Sequence, residues 1–188
     1  MRGTILRTER LLLRPFREDD VGAALTYRND AEFAQFLPHI PQPFTRADAL
    51  RFVTTNMDER WETSPTFAIE LDGRLVGTVN LEVDAANQSA MLGYAIGRDH
   101  WGQGIALEAA RAVVSWGFQA LSLAKIWAST DARHRRSRRV MEKLGMTHEG
   151  TLRAHRRDRD GLRADEVMYG LLGEEWAATA IPPPAGTM

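Results

Sequence analysis

The chain has no cysteine, only two lysines and no long apolar run. The absence of cysteine excludes disulfide bonds, a thiol nucleophile and a cysteine-based metal site. No apolar run is long enough to span a membrane, and residues 1–7 lack the apolar core of a signal peptide, so we expect a cytoplasmic protein. A formal net charge of -1 at pH 7 gives no reason to expect bulk binding to nucleic acid or to a membrane.

The length and composition are those of one ordinary globular domain. The chain has 188 residues, of which 44% are hydrophobic and 26% are charged. We interpret residues 1–176 as the domain and residues 177–188, which include three consecutive prolines, as a disordered tail. The sequence leaves open whether the protein is a monomer or a homodimer.

Hydrophobic periodicity predicts a mixed order of strands and helices. Adjacent strands joined by turns such as Asp72-Gly73 and Asp160-Gly161 favour hairpins. We therefore expect the α+β class, with one mixed, mostly antiparallel sheet. The predicted strands span residues 5–16, 66–71, 75–83, 90–96, 124–129, 147–153 and 163–172, and the predicted helices begin near residues 18, 45, 104 and 135.

The most informative segment is a glycine-containing turn at residues 100–106, His-Trp-Gly-Gln-Gly-Ile-Ala. It follows an apolar strand pattern at residues 91–96 and precedes a long amphipathic helix pattern. Such a turn leaves backbone N–H groups unpaired at the positive end of a helix dipole, where a phosphate group binds well. Since Gly102, Gly104 and Ala106 have almost no side chain, a pyrophosphate could approach the backbone closely.

Four ordered segments together resemble the GCN5-related N-acetyltransferases, and in particular the RimJ/RimL-like branch, which includes the ribosomal-protein N-terminal acetyltransferases. One segment opens the chain, a second is the strand with its glycine turn, a third is the helix after the basic run, and a fourth is the closing hairpin. The matching segments are residues 7–15, 93–106, 137–146 and 149–176. The resemblance therefore extends over about residues 7 to 176.

The resemblance implies a fold and a cosubstrate. It implies a GNAT-like sheet with a splayed central strand pair and helices on both faces, which binds acetyl-CoA and needs no metal. The pantetheine arm would lie in the gap between the splayed strands, and the pyrophosphate would sit on the glycine turn. The implied cofactor-binding residues are Tyr94, Ala95, Ile96, Trp101, Gly102, Gln103, Gly104, Ile105, Ala106, His134, Ser137, Arg138 and Lys143.

The family reaction is direct attack of a primary amine on the acetyl thioester in a ternary complex. Glu82 is our candidate general base, acting directly or through a water that Asn80 could hold. A backbone N–H near Ile96 could stabilise the oxyanion. Ser137 and Tyr169 are the candidates to protonate, or donate a hydrogen bond to, the departing thiolate.

Two departures from the family pattern affect the interpretation of the site. Met91 stands where this branch often has Glu, which removes one candidate base, and His134 stands where the family commonly has Asn. The basic run at residues 133–139 could bind the 3′-phosphate of CoA, bind an acidic partner or form a solvated helix face. The second basic run, at residues 155–159, could contact ribosomal RNA during docking on a ribosomal protein. The interleaved Asp158 and Asp160 instead favour a solvated loop.

Three functional hypotheses follow. The first is an N-acetyltransferase whose acceptor is a protein N-terminal α-amine. The second is an acetyltransferase of a small amine, such as a polyamine, an amino acid analogue or an aminoglycoside. The third is a non-catalytic module that binds acyl-CoA. Nucleic-acid binding through the arginine runs is the least favoured alternative.

Overall fold

The computed structural model describes residues 3–179, and they form one eight-stranded sheet with helices on both faces. The strands are β1 (Leu6–Arg7), β2 (Leu11–Arg14), β3 (Thr66–Leu71), β4 (Arg74–Asp84), β5 (Ser89–Ile96), β6 (Lys125–Asp131), β7 (Thr147–Arg157) and β8 (Arg163–Leu172). The helices are α1 (Val21–Arg28), α2 (Ala31–Ala34), α3 (Arg46–Asp58), α4 (Ile105–Ala120), α5 (Arg135–Lys143) and α6 (Gly173–Thr179). Residues 177–179 complete α6, and the rest of the expected tail lies outside the described residues.

The sheet has the strand order β1-β2-β3-β4-β5-β6-β8-β7. Every neighbouring pair is antiparallel except β5 with β6, which is parallel. The expected α+β class and mostly antiparallel sheet are therefore confirmed. The predicted first strand is a hairpin of two short strands, because Thr8 donates from its backbone to Leu11 and reverses the chain.

The predicted turn signals act as their chemistry suggests. Asp72 and Gly73 both have positive φ, at 50° and 77°, as a two-residue hairpin between twisted strands requires. Thr45 and Asp48 form a reciprocal capping box at the start of α3. The short helix α2 was not predicted. Asp30 caps its N-terminus, where the Asp30 side chain accepts a hydrogen bond from Phe33 N–H.

Strand alternation assigns each side chain of the central strands to one face. Val79 and Leu81 of β4 face α4, where a Cβ placed on Gly117 would lie 2.8 Å from Leu81 Cδ1. Thr78, Asn80 and Glu82 consequently face the opposite side, which α1 and α3 cover in part. Two hydrophobic clusters fill the two faces, one around α4 and one around α1 and α3.

Candidate active site

The parallel pair at the centre of the sheet separates after a few residues. Strand β5 pairs with β6 only from Ser89 to Met91, opposite Lys125 to Trp127. In the described part of the chain, the remaining residues of β5, 92–96, have no strand partner on that side. The expected splayed strand pair is therefore confirmed. It leaves a gap between the two strands in which backbone groups are free to bind another chain-like group.

The backbone of β5 presents hydrogen-bonding groups to this gap. Gly97 N–H donates to Val76 O at 2.8 Å, which shows that the N–H of Gly97 points toward β4. Since N–H groups alternate along a strand, those of Ile96 and Tyr94 point away from β4 and toward the gap. The carbonyl of Ile96 points to the same side as its N–H, away from β4, and there it accepts a hydrogen bond from the indole N–H of Trp101 at 2.7 Å.

The glycine turn lies at the end of this gap and begins α4. Gly102 and Gly104 have positive φ, at 76° and 80°, so a residue with a Cβ would be strained at either position. A Cβ on Gly102 would meet nothing within 4 Å, and one on Gly104 would meet only Arg10 Nη2, at 3.6 Å. The turn is thus an open cradle at a helix N-terminus, and it fits a pyrophosphate group.

Arg10 is a neighbour of this cradle that the sequence analysis did not single out. Its Nη2 donates to Gln103 O at 3.1 Å, and its guanidinium forms an ion pair with Glu108 at 2.6 Å. Glu108 also accepts from Thr8 Oγ1 at 2.5 Å. Although burial opposes the shift, hydrogen bonds from Thr8 and Arg10 lower the pKa of Glu108. A permanent cation is therefore held beside the turn.

The other wall of the gap is the start of α5, where Ser137 is buried against Tyr94. The Tyr94 hydroxyl lies 2.9 Å from Ser137 Oγ and 3.0 Å from the Ser137 carbonyl oxygen. Burial raises the pKa of Tyr94 to about 12, with the bond to Ser137 opposing the rise. Both hydroxyls are therefore protonated at neutral pH and can donate hydrogen bonds.

His134 precedes α5 and is stacked on Phe36, with ring centroids 4.2 Å apart and 15° between the ring planes. Its Nδ1 lies 3.2 Å from Thr130 Oγ1. Burial lowers the pKa of His134 to about 4, against the opposing charge of Asp131, and the arginines nearby lower it further. The imidazole is therefore neutral at neutral pH and can either donate or accept a hydrogen bond.

These elements border one cleft of about 570 Å³. It runs from the glycine turn, along β5 and the start of α5, to the helix α2 and the residues after it. Its lining includes many of the predicted cofactor-binding residues. These are Tyr94, Ala95, Ile96, Trp101, Gly102, Gly104, Ile105, Ala106, His134, Ser137 and Lys143.

The comparison with protein families agrees with this geometry. Residues 10–147 match the family model described as an acetyltransferase (GNAT) domain, which is more than half of the chain. This chain belongs to the GNAT acetyltransferase family. The resemblance found in the sequence is thereby confirmed, and the protein is an N-acetyltransferase that uses acetyl-CoA.

Curated relatives of this acetyltransferase cover almost its whole length. It is 30% identical over 171 residues to the uncharacterized N-acetyltransferase YnaD of Bacillus subtilis, across 91% of this chain and 98% of YnaD. It is 29% identical over 177 residues to the uncharacterized N-acetyltransferase p20 of Bacillus licheniformis, across 92% of this chain and 98% of p20.

Solved structures share the fold. A GNAT-family acetyltransferase from Bacillus anthracis has a TM-score of 0.82 and 30% identity, covering 92% of this chain and all of that one (100%). The ribosomal L7/L12 acetyltransferase RimL, solved with coenzyme A, has a TM-score of 0.80 over 92% of this chain and 99% of that one. Its identity is only 18%, so it supports the fold alone.

Four of the predicted site residues of the acetyltransferase do not line the cleft. Glu82 is exposed on β4, and Gln103 is an exposed member of the turn. Tyr169 is buried, and its hydroxyl donates to Glu142 Oε1 at 3.1 Å. Arg138 is the fourth of these residues, and its Nε donates to the Tyr169 hydroxyl at 3.4 Å. The catalytic roles assigned to Glu82 and Tyr169 remain predictions.

The structure also adds residues to the cleft. Phe33, Phe36 and Leu37 form an apolar end beyond His134. Sequence reasoning missed them because α2 is only four residues long and lies in a segment with three nearby prolines. Arg136 is a further addition, since its guanidinium lies 4.3 Å from the centre of the Trp101 ring and so joins α5 to the glycine turn.

Within residues 3–179, no group of three or more His, Asp or Glu side chains is placed to hold a metal ion. No helix in the same range is long and apolar enough to cross a membrane.

Proposed function

We propose that this acetyltransferase transfers the acetyl group of acetyl-CoA to the α-amine of a protein N-terminus, by direct attack in a ternary complex. The observation that carries the proposal is the single cleft that joins the glycine turn, the Tyr94–Ser137 pair and the apolar end at Phe36. A donor held at one end and an acceptor held at the other would meet beside Ser137. Bound acetyl-CoA supplies an activated acyl group, and the residues of this chain bind, orient and move protons.

The charge of the cleft supports an α-amine rather than a polyamine. Glu32 is the one acidic residue lining the described cleft, and it already lies 3.4 Å from Arg98 in an ion pair. Five basic residues line the same cleft, namely Arg133, Arg135, Arg136, Arg139 and Lys143. A polycation would be repelled by this surface, whereas the phosphates of CoA would be attracted.

The acceptor's own pKa supports the same choice. An α-amine with a pKa near 7.8 is unprotonated in roughly one molecule in seven at pH 7, against about one in 2,500 for a lysine-like amine. An α-amine therefore needs a weaker base. We assign that role to Glu82, which pairs across the ladder with Met91 and shares a face with Asn80. Asn80 stands over Gly93, where its amide could hold the water through which Glu82 acts.

Ser137 is the proposed donor to the departing thiolate, because it lies in the cleft and Tyr94 supports its hydroxyl. Tyr169 is the weaker candidate, since its own hydrogen is directed to Glu142. The Ile96 N–H, which points into the gap, is the proposed donor to the oxyanion.

The test is a thiol-release assay with acetyl-CoA and three acceptors. They are a short peptide with a free N-terminal alanine, the same peptide with a blocked N-terminus and one internal lysine, and spermidine. We expect thiol release with the first, and mass spectrometry should place the added acetyl group on the α-amine. Release with spermidine alone would replace the proposed acceptor by a small amine. Binding of acetyl-CoA without release to any amine would favour a non-catalytic acyl-CoA-binding module.

A further inference from the structure

One arginine in the closing hairpin binds a segment more than 100 residues earlier in the chain. Arg159 lies in the turn between β7 and β8, and its Nη2 donates to the carbonyl oxygens of Ala34, Leu37 and Ile40 at 3.0, 2.9 and 2.7 Å. An Nη2 group carries two hydrogens, so the three oxygens share them. This residue belongs to the basic run that the sequence suggested was a solvated loop. Arg159 is exposed, as that interpretation expects, and its three hydrogen bonds are a contact that the sequence did not indicate.

The three carbonyls belong to two successive turns of backbone. Leu37 N–H donates to Ala34 O, and Ile40 N–H donates to Leu37 O, each at 3.0 Å. Two of the three oxygens that Arg159 binds, those of Ala34 and Leu37, therefore already hold these turns together. Since a guanidinium is planar and permanently charged, it can draw several carbonyl dipoles toward one point. The hairpin thereby holds the segment from Ala34 to Ile40, in which residues 35–40 belong to no helix or strand.

The fixed segment carries an aromatic side chain into the active-site cleft. Phe36 lies within the first of the two bonded turns, between Ala34 and Leu37. It lines the cleft and is stacked on His134 from the opposite wall. The two rings belong to elements about 100 residues apart in sequence, and the described contacts that hold Phe36 in place include the bonds of Arg159 on both sides of it.

We propose that Arg159 is a positioning residue that holds Phe36 over His134, and that this aromatic pair forms the wall against which the acceptor amine is placed. The inference rests on the proposed function in one respect, because it places the acceptor at the apolar end of the cleft. It adds that the β7–β8 turn, which does not line the cleft, governs acceptor binding without governing acetyl-CoA binding.

The matched variants are Arg159→Ala and Arg157→Ala. Both remove one positive charge from the same hairpin, but Arg157 donates within it, to Gly161 O at 2.8 Å. The first readout needs no acceptor. Hydrogen exchange at the Leu37 and Ile40 amides should become faster, by about tenfold or more, in Arg159→Ala and not in Arg157→Ala.

The second readout is an NMR titration of His134. Loss of the Phe36 ring from its face should let water reach the imidazole, so its pKa should rise from about 4 toward 6.5 in Arg159→Ala. Phe36→Ala provides a second variant that leaves Arg159 in place, and it should give the same rise. Asp131, Arg136 and Arg156 also act on this ring, and none of them is changed in either variant.

The third readout is kinetic. With the alanine peptide as acceptor, KM for the peptide should rise about five- to tenfold in Arg159→Ala and in Phe36→Ala, while Kd for acetyl-CoA changes by less than about twofold. Unchanged exchange and an unchanged His134 pKa in Arg159→Ala would overturn the proposal. Faster exchange with an unchanged peptide KM would overturn the role in acceptor binding. If no peptide is acetylated at all, the proposed function fails, and the first two readouts still decide what Arg159 holds.

Discussion

The hydroxyl of Tyr94 lies 2.9 Å from Ser137 Oγ, and this contact joins the splayed strand β5 to the start of α5. The phenol is buried and protonated, and its single hydrogen can be donated either to the Ser137 carbonyl oxygen, 3.0 Å away, or to Ser137 Oγ. In the second arrangement the serine hydrogen is free to point into the cleft. The pair is therefore arranged to support a hydrogen bond to a leaving thiolate, with Tyr94 acting through Ser137.

This relationship predicts a coupled effect on turnover. Ser137→Ala should lower kcat by about 10²-fold, because it removes the proposed donor, and Kd for acetyl-CoA should stay within about threefold. Tyr94→Phe should lower kcat less, and the double variant should be no slower than Ser137→Ala, since residues that act as a unit are not additive. Steady-state kinetics on the four proteins measure the coupling.

Tyr169→Phe is the matched control, since it removes a buried phenolic hydroxyl bonded to Glu142 outside the cleft. It should reduce the free energy of unfolding by about 1 kcal/mol and leave kcat unchanged. If Tyr169→Phe lowers kcat as much as Ser137→Ala does, Tyr169 is the thiolate donor and the proposed assignment is wrong.

Gly104→Glu should abolish acetyl-CoA binding. The substitution places a carboxylate and a strained backbone at φ 80° in the open cradle, where it would repel a pyrophosphate. Isothermal titration with acetyl-CoA measures the loss. Gly73→Glu is the control, because Gly73 also has positive φ, at 77°, with open space around it, but lies in the β3–β4 hairpin. Equal loss of binding in both variants would indicate a general effect of backbone strain.

His134→Asn should make the protein less sensitive to acid. The folded pKa of His134 is about 4, below its ordinary 6.5, so the unfolded state binds more protons between these values. The stability contributed by this residue is present above pH 6.5 and is lost as the pH falls toward 4. Without the histidine, the decrease in unfolding free energy between pH 7 and pH 4 should be smaller by about 2 kcal/mol.

Urea unfolding at both pH values measures this difference. The exposed His148 provides a control, and His148→Asn should leave the decrease unchanged. An equal effect of the two substitutions would show that burial of His134 is not the cause.

Asp20→Asn should destabilise the fold without acting on the cleft. Arg14 and Asp20 are 5% and 3% exposed, and the guanidinium makes two bonds to the carboxylate, at 2.7 and 2.8 Å. Loss of the charge leaves a buried cation with Glu70 as its remaining carboxylate partner, which should cost about 3 kcal/mol. Asp19→Asn removes a surface ion pair with Arg17 and should cost less than about 1 kcal/mol. Similar costs in denaturant unfolding would contradict this account.

Much of the fold was predictable, because it depends on signals a few residues apart. Asp72-Gly73 predicts a tight hairpin, and Thr45 with Asp48 predicts the start of a helix. Neither prediction depends on where the element lies in the fold. The glycine turn was predictable for the same reason, since the conformations of Gly102 and Gly104 are local. Helix α2 was missed because a four-residue helix has no periodicity to detect.

The partners of the site residues depend on distant contacts. Strand alternation showed that Asn80 and Glu82 share a face, but only the packing of Leu81 on α4 decided which face that is. The same holds for Arg159, whose three carbonyl acceptors lie more than 100 residues away. No local pattern distinguishes it from its solvated neighbours.

The sequence by itself determined the glycine turn, the order of strands and helices and the family to which they belong. These follow from backbone conformations and periodicities that neighbouring residues impose on one another. The tertiary structure decided that Tyr94 supports Ser137, that His134 is neutral under Phe36, and that Tyr169 is directed away from the cleft. Each of these depends on burial and on contacts between segments that are distant in sequence and meet only in the folded protein.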